Sequence, residues 1–482
     1  MTGRSVLKST RTSLFCRKKS VYELLFPMIW LLLLPYEASG KNKRIGIIGG
    51  GIGGLATAAF LNEDPDLDVL LFEAEDHLGG NAITIQAKGK DQKLVSVDVG
   101  PQYACEKGWA EYLAIMKYYG IFDEESVHTM PGSIGIFSKM SNRDDMAFLS
   151  PRWNSFLKWK HMANAVRFSH FYDSSRKIYT SDNKDYDGET VSQWLQTLRI
   201  QNAFKQNVIQ PFLASILGIS FSELQGIAVS GLVKYFVFSG EWYWRKPLNI
   251  IKKGMGTSLV ELGEKLHKVH FFMRSPVSRV ESHSDGKSFL LHSGTGIYSV
   301  DEVVVAVHPK AAYSLLKSSS LPSEVLQALQ DMSEREVPIF IHRDQDFLPR
   351  KSRFQSFLNI RVDKTGVTTT MKLNEIDASY GDILKSWIPD IGEREKLRSS
   401  PLLIAEKTFF HPKVTPEYIK AREHIRKYSL KENVHFAGAW SAYADTQNSG
   451  VVAAWQTARR LMRSDTKEFW TREIPSLKHI AD

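Results

Sequence analysis

Cysteine is scarce: the 482 residues hold only Cys16 and Cys105. If the N-terminal segment is removed, one thiol remains and no intrachain disulfide can form. A lone cysteine is more often a small buried hydrophobe than a nucleophile. No grouping of Cys, His, Asp or Glu has metal-ligand spacing, so no metal site is expected. A G-x-S-x-G nucleophile elbow is missing, and so is any N-x-[ST] sequon after residue 40. There is no internal repeat and no long low-complexity tract. Charge of one sign is also modest. The net is +9, and residues 1–40 supply +4 of it, from Arg4, Lys8, Arg11, Arg17, Lys18 and Lys19 against Glu23 and Glu37. About +5 is left for the rest, too little to argue for a nucleic-acid partner. What is present is ordinary for a globular chain: 43% hydrophobic and 24% charged residues, with length enough for two domains.

The first forty residues stand apart. Residues 1–20 are basic and contain no acid; residues 24–34 read LLFPMIWLLLL; Ala38-Ser39-Gly40 is a small-residue end. The order basic, apolar, small is that of a secretory signal peptide cut near Gly40. The apolar run is shorter than the roughly 20 residues a spanning helix needs. Two alternatives stay open. An uncleaved anchor would associate the protein with a membrane through residues 21–35, and an organelle transit peptide has a similar acid-free start. The expected location is therefore the secretory pathway, with membrane anchoring or organelle import as alternatives.

Residues 43–48, KRIGII, form an apolar run of strand length. Gly49-Gly50-Gly51-Ile52-Gly53-Gly54 follows, and then LATAAFLNE, which has helical character. A G-x-G-x-x-G (Gly49, Gly51, Gly54) between a strand and a helix is the dinucleotide-binding arrangement. Its glycines serve a tight turn, backbone approach to a pyrophosphate, and close helix–strand packing. The helix N-terminus then faces the phosphate charge. A second strand, DVLLFEAE, ends in Glu73, nineteen residues after Gly54, where an acid accepts hydrogen bonds from ribose hydroxyls. The fold class that follows is α/β, Rossmann type.

The residues after Glu73 separate FAD from NAD. AEDHLGGNAIT carries Gly79-Gly80, and VSVDVGPQY carries Asp98 and Gly100. This resembles the E-A-x-x-x-x-G-G continuation of the glutathione-reductase-like FAD proteins. Far along the chain, VHFAGAWSAYADTQNSGVVAAWQTARRL (434–461) reads as a strand, a loop, and a helix starting near Ser449-Gly450. The chain as a whole resembles the flavin-containing amine-oxidase-like oxidoreductases. Within them it is most similar to the bacterial-type group called predicted NAD/FAD-binding proteins. The segments that carry the likeness include PFLASILGIS, DEVVVAVHP, IHRDQDFLPR, TTMKLNEI, FFHPKVTP and HFAGAW. The resemblance implies bound FAD. It adds Gly80, Asn81, Val277 (beside the adenine), Gly438, Ser449, Gly450 and Val451 to Gly49, Gly51, Gly54 and Glu73 as cofactor-binding residues. It also implies that the C-terminal helix points its N-terminus at the flavin, where backbone N–H groups stabilise charge on the reduced ring. There are departures. Asn81 stands where the group usually has His and the better-known amine oxidases have Arg. The loop SAYADTQNSG replaces a Tyr-Gly-Phe-His-Glu-Asp-Gly stretch.

The same resemblance implies a FAD-binding domain assembled from 43–105, 248–310 and 402–465, interleaved with an α+β substrate domain from 106–247 and 311–401, and a tail at 466–482. Residues 106–247 show helical patterns, as in WAEYLAIMKYYGI. VPIFIHRD and GVTTTMKL alternate as antiparallel strands do. No catalytic side chain is identified, since a flavin carries its own hydride chemistry. His308 and His342 read as structural, and Asp445 as a solvated loop acid, although it is the most plausible titratable group near the flavin. Trp242, Trp244, Trp440 and Tyr443 are expected to line an apolar pocket at the flavin. That favours an oxidoreductase acting on a hydrophobic small molecule by oxidation, desaturation or double-bond isomerisation. An amine or thioether (prenylcysteine-like) oxidase, a non-enzymatic flavin-binding protein and an NAD-dependent dehydrogenase are the competing readings.

Overall fold

After Lys43, every residue of the strand Lys43–Ile48 is buried. Parallel strands covered on both faces read as unbroken apolar runs, and KRIGII is one. The strand sits at the centre of a five-stranded parallel sheet. In spatial order the strands are Val269–Phe272, Leu67–Phe72, Lys43–Ile48, Glu302–Val305 and Val434–Phe436. Both neighbours of the central strand run parallel to it, so the switch point of the sheet lies at its C-terminal end, where open α/β sheets bind ligands. The computed structural model describes residues 42–480 apart from 106–107, 131, 151–158, 182–185, 238–247, 285–286, 365 and 430–431. The proposed signal segment lies outside the described residues, and so do Trp242 and Trp244. Among the described residues no helix is long and apolar enough to cross a membrane.

One face of the parallel sheet is covered by the helices Ile52–Leu61 and Gln447–Leu461. Their side chains share a core with Ile45, Ile47 and Leu71. The other face carries a three-stranded antiparallel sheet (Val277–Ser282, Phe289–Ser293, Gly296–Val300) and the helices Pro309–Leu316, Ser323–Asp331 and Pro416–Ser429. The chain beyond residue 466 is not a loose tail. The helix Ser464–Glu473 buries Trp470, whose indole N–H donates to the carbonyl of Phe60 at 2.8 Å.

A second, seven-stranded sheet holds Leu403–Pro412, Glu334–His342, Leu384–Trp387, Val367–Lys372, Leu358–Val362, Ile134–Lys139 and Asp144–Leu149, in that order. The helices Trp159–Thr180, Val191–Thr197 and Gln210–Leu217 pack against it through Phe171, Trp194 and Leu213. Two expected boundaries move. Leu403–Pro412 pairs with Glu334–His342 along nearly its whole length, so it belongs to this sheet and not to the FAD-binding part. The helices at 309–331 bury Leu316, Val325 and Leu329 against the parallel sheet, so they belong to that lobe. The chain therefore crosses between lobes near Met332 and Lys413. Strands Ile134–Lys139 and Asp144–Leu149 are also present within the part read as rich in helical patterns. The hairpin Thr84–Lys88/Leu94–Asp98 buries Ala87 and Val97 against Val337 and Ile341 and ties the lobes together.

Candidate active site

Strand, glycine turn and helix place the first wall of the site. Gly49 has φ +106°, in the left-handed region that favours glycine, and a Cβ there would lie 2.9 Å from the carbonyl oxygen of Ala306. A Cβ on Gly53 would lie 1.8 Å from the carbonyl oxygen of Ala437, so this glycine lets the helix cross the C-terminal strand segment. Gly54 does the same against Gly49, whose carbonyl oxygen would be 1.9 Å away. Gly51 is different: a Cβ there meets nothing nearer than the Cα of Gly80 at 3.8 Å. The loop thus encloses a cradle that one methyl group would begin to fill. Glu73 is buried beside it. Its Oε2 accepts from the Gly50 N–H at 2.6 Å, and its Oε1 from the Glu75 N–H at 2.9 Å. The open cradle, the helix N-terminus and the acid fit a pyrophosphate and ribose.

From this wall a cavity of about 550 Å³ runs between the two sheets. Gly49, Gly51, Glu73, Gly80, Asn81 and Gly438 line it. Gly54 does not, because it packs helix on strand. Ser449, Gly450 and Val451 also lie behind the cavity wall. Ser449 is fully buried. Its Oγ accepts from the N–H groups of Tyr443 and Ala444 and donates to the carbonyl of Ala439, so it folds the loop. Gly450 packs on Ile52. The helix begins earlier than expected, at Gln447, because Thr446 caps it by accepting the Ser449 N–H at 3.2 Å. Thr446 and Gln447 are therefore the residues at the cavity, and the Gln447 Oε1 is buried without a partner. Val277 lies outside the lining. Its strand starts beside the Glu73 turn, where the Ser275 N–H donates to the Glu73 carbonyl at 2.8 Å. Trp440 lines the cavity with its indole N–H fixed to the carbonyl of Val307 at 2.9 Å. Tyr443 does not line it. Its hydroxyl accepts from Asn448 at 3.0 Å on the far side of the loop.

Beyond the nucleotide end the walls are apolar, with Phe168, Phe212, Phe236, Leu358, Phe409 and Trp387 among them. Few polar groups interrupt them. Lys385 is 2% exposed. Its Nζ donates to the carbonyls of Asp98 (2.8 Å) and Gly100 (2.6 Å) and to Oε1 of Gln102 (2.7 Å). Burial lowers its pKa to about 7, against the pull of the Asp98 carboxylate. Asp98 itself accepts from Thr84 and from the N–H of Met255, at the start of the helix Met255–Lys265; burial raises its pKa. At the other end of the cavity, Asp445 lies 3.2 Å from Nδ1 of His411, and His308 lies 3.1 Å from Glu334. Asp445 is no solvated loop acid. Burial pushes its pKa up, but the hydrogen bond and charge of His411, with the charge of His308, outweigh that and hold it below its ordinary value. For His308, burial pushes down, and Glu334 and Asp445 together outweigh it and raise the pKa. His342 lies away from the cavity, buried in the sheet against Ser386 at 2.8 Å.

Sequence reasoning missed Gly53, Gln447, Lys385, His411 and Arg335. Two of these left a signal. Lys385 is a cation inside the apolar strand ILKSWI, and Arg335 stands in phase with Val337 and Ile339 in EREVPIF.

The parallel sheet, the glycine cradle with its acid, and the cavity between two lobes define a dinucleotide-binding flavoprotein. The profile of the flavin-containing amine oxidoreductases matches residues 52–370, and the chain belongs to that family. It binds FAD as its cofactor. It is similar to the coproporphyrinogen III oxidase of Staphylococcus aureus (strain NCTC 8325 / PS 47), 27% identical over 189 residues. That match spans 38% of this chain and 38% of that relative's length. Among solved structures it resembles the cyclohexylamine oxidase from Brevibacterium oxydans IH-35A, with a TM-score of 0.62 and 16% identity over 89% of this chain and 99% of that one. The CLA-producing fatty acid isomerase from P. acnes also gives a TM-score of 0.62, with 13% identity over 88% and 99% of the two chains. At these identities the likeness is one of fold.

Proposed function

We propose that this FAD-dependent oxidoreductase acts on a hydrophobic, lipid-like small molecule, by oxidation, desaturation or double-bond isomerisation. The observation that carries the reading is the composition of the cavity beyond the nucleotide end: aromatic and aliphatic walls from both lobes, broken by a few fixed polar groups. Such a cavity holds its ligand mainly through buried apolar area, at roughly 25 cal/mol per Å². When bound, FAD supplies the two-electron acceptor. The chain's own residues bind and orient. Glu73 and the glycine cradle hold the nucleotide, the apolar walls exclude water, and Asp445 lies paired with His411 at the cavity surface.

The test is an anaerobic screen of the holoenzyme against long-chain lipids, primary amines and amino acids, followed by the loss of the oxidised flavin's visible absorbance. An apolar lipid should bleach the flavin or be isomerised, with products identified by mass spectrometry. Bleaching by amines alone would replace this reading with the amine-oxidase one.

A further inference from the structure

The strand Leu403–Pro412 turns Phe409 and His411 to the cavity and exposes Phe410 on its other side, as alternate residues of a strand must. Nδ1 of His411 lies 3.2 Å from Oδ2 of Asp445, in the loop ahead of the last helix. Against burial, the hydrogen bond and charge of His411 and the charge of His308 hold Asp445 ionised. An ionised carboxylate only accepts, so Nδ1 carries the hydrogen of the neutral imidazole and Nε2 keeps a free lone pair. Nε2 has no partner among the described residues. Unlike Nε and Nη1 of Arg335, it is not shut off by protein: the His411 side chain is 33% exposed in the cavity wall.

The groups around this ring are few. Arg335 stands in register with it on the neighbouring strand and gives one nitrogen to the carbonyl of Leu217. The Tyr235 hydroxyl, also in the wall, accepts from the Asp445 N–H at 3.2 Å and steadies the carboxylate's loop. His308 lines the same end, with Nδ1 at 3.1 Å from Glu334. Burial lowers its pKa, but Glu334 and Asp445 outweigh burial and raise it, so it keeps its proton to higher pH than an ordinary histidine and is the poorer acceptor. Fastening the loop to the strand accounts for Nδ1 of His411 and not for the open Nε2. One ring nitrogen tied to a carboxylate and the other facing a reaction space is how a base is oriented.

We infer that His411 takes the substrate's proton through Nε2 and that Asp445 is its positioning residue. The inference rests on the substrate-oxidising reading above and deepens it. In such an oxidation a C–H bond breaks and its hydrogen leaves with both electrons, which reduce the flavin. The electron-poor carbon left behind forms its second bond when a neighbouring C–H, or an O–H or N–H on the same carbon, breaks. That hydrogen leaves as a proton and forms the N–H bond at Nε2, giving an imidazolium beside Asp445. The first measurement needs no substrate. With isotope-labelled imidazole nitrogens, NMR of the unmodified holoenzyme should show His411 as the Nδ1–H tautomer, and Asp445→Ala should lose that single form. The second follows anaerobic flavin reduction by dodecanol, dodecylamine and oleic acid. For each compound that reduces the flavin, His411→Ala should slow reduction at least about a hundredfold, and added imidazole should restore part of the rate. Asp445→Ala should slow it at least about tenfold, with the compound's affinity changed less than about threefold. Bound FAD reports that each variant is folded. An Nε2–H tautomer in the unmodified holoenzyme overturns the proposal, whatever becomes of the variants. So does a His411→Ala rate within threefold of the parent's, or a hundredfold loss found in His308→Ala instead. Reduction by dodecylamine alone overturns the lipid-like substrate and leaves His411 to be decided by the same two measurements.

Discussion

Lys385 takes three acceptors, the carbonyls of Asp98 and Gly100 and the side chain of Gln102, one for each hydrogen of the charged ammonium. Burial works against that charge and brings its pKa to about 7. In the unfolded chain a lysine keeps a value near 10.4. Between about pH 7 and pH 10 the unfolded state therefore binds more protons at this position than the folded one, and stability must rise with pH. The cost of holding the charge is present in full below pH 7 and is relieved as pH climbs toward the unfolded value. The slope from one group is at most roughly 1.4 kcal/mol per pH unit. Lys385→Met should remove that slope. It should also lower stability overall, because the acceptors lose their donor, at roughly 1–3 kcal/mol for each one left unsatisfied. Urea unfolding of both proteins at pH 6.5, 7.5 and 8.5 measures the difference, because these values run from below the shifted group into the window where the slope acts. Parallel pH profiles for the two proteins would mean that Lys385 keeps an unperturbed charge.

At the scale of elements, two glycines two positions apart do opposite jobs. Gly53 lets the helix Ile52–Leu61 cross the segment after Val434–Phe436, where a Cβ would meet backbone at 1.8 Å. Gly51 keeps open a space that no described protein atom occupies closer than 3.8 Å. Gly53→Ala should thus damage the fold itself. Overpacking commonly costs about 1–3 kcal/mol, and a backbone clash belongs at or above the top of that range. Gly51→Ala should leave the apoprotein's circular dichroism and melting temperature close to the parent's but abolish flavin retention, since the methyl group enters the pyrophosphate's space. A Gly51→Ala protein that purifies with a full complement of FAD would refute this division of labour. The strand–glycine–helix unit was legible in the sequence because the demands of a phosphate are local: they fall within six consecutive residues and an acid nineteen further on. The identity of the packing glycine was not legible in the same way. Its partner, Ala437, is almost four hundred residues away. The start of the last helix was misread by two residues because Thr446, and not Ser449, supplies the cap.

Across the whole molecule, the readings that failed depend on pairing between distant strands. Arg335 meets His411 only because Glu334–His342 takes Leu403–Pro412 as its neighbour, and nothing in either segment names the other. The same pairing moved the lobe boundary from 402 to near Lys413. Between the lobes lies the cavity. On one side the hairpin packs Ala87 and Val97 on the seven-stranded sheet, and Lys385 reaches across to Asp98 and Gly100. Elsewhere the two lobes face each other across the cavity walls, whose lining draws on Gly51 and Gly438 from one lobe and on Val337 and Leu358 from the other. If FAD sits at the glycine cradle, it would add contacts that the apoprotein lacks. A ligand that binds only the folded state stabilises it by RT ln(1 + [L]/Kd), about 2.7 kcal/mol at a hundredfold excess over Kd. Stripping FAD should therefore lower the melting temperature by several degrees. Adding it back should restore that temperature progressively with the logarithm of FAD concentration. Hydrogen exchange should slow on rebinding at the glycine loop and at residues 438–440 and 445–447, which line the cavity from the C-terminal end of the chain. If the apoprotein melted at the same temperature as the holoprotein, with no added protection at either segment, the cofactor would be a passenger at the surface, and the cavity between the lobes would not be its seat.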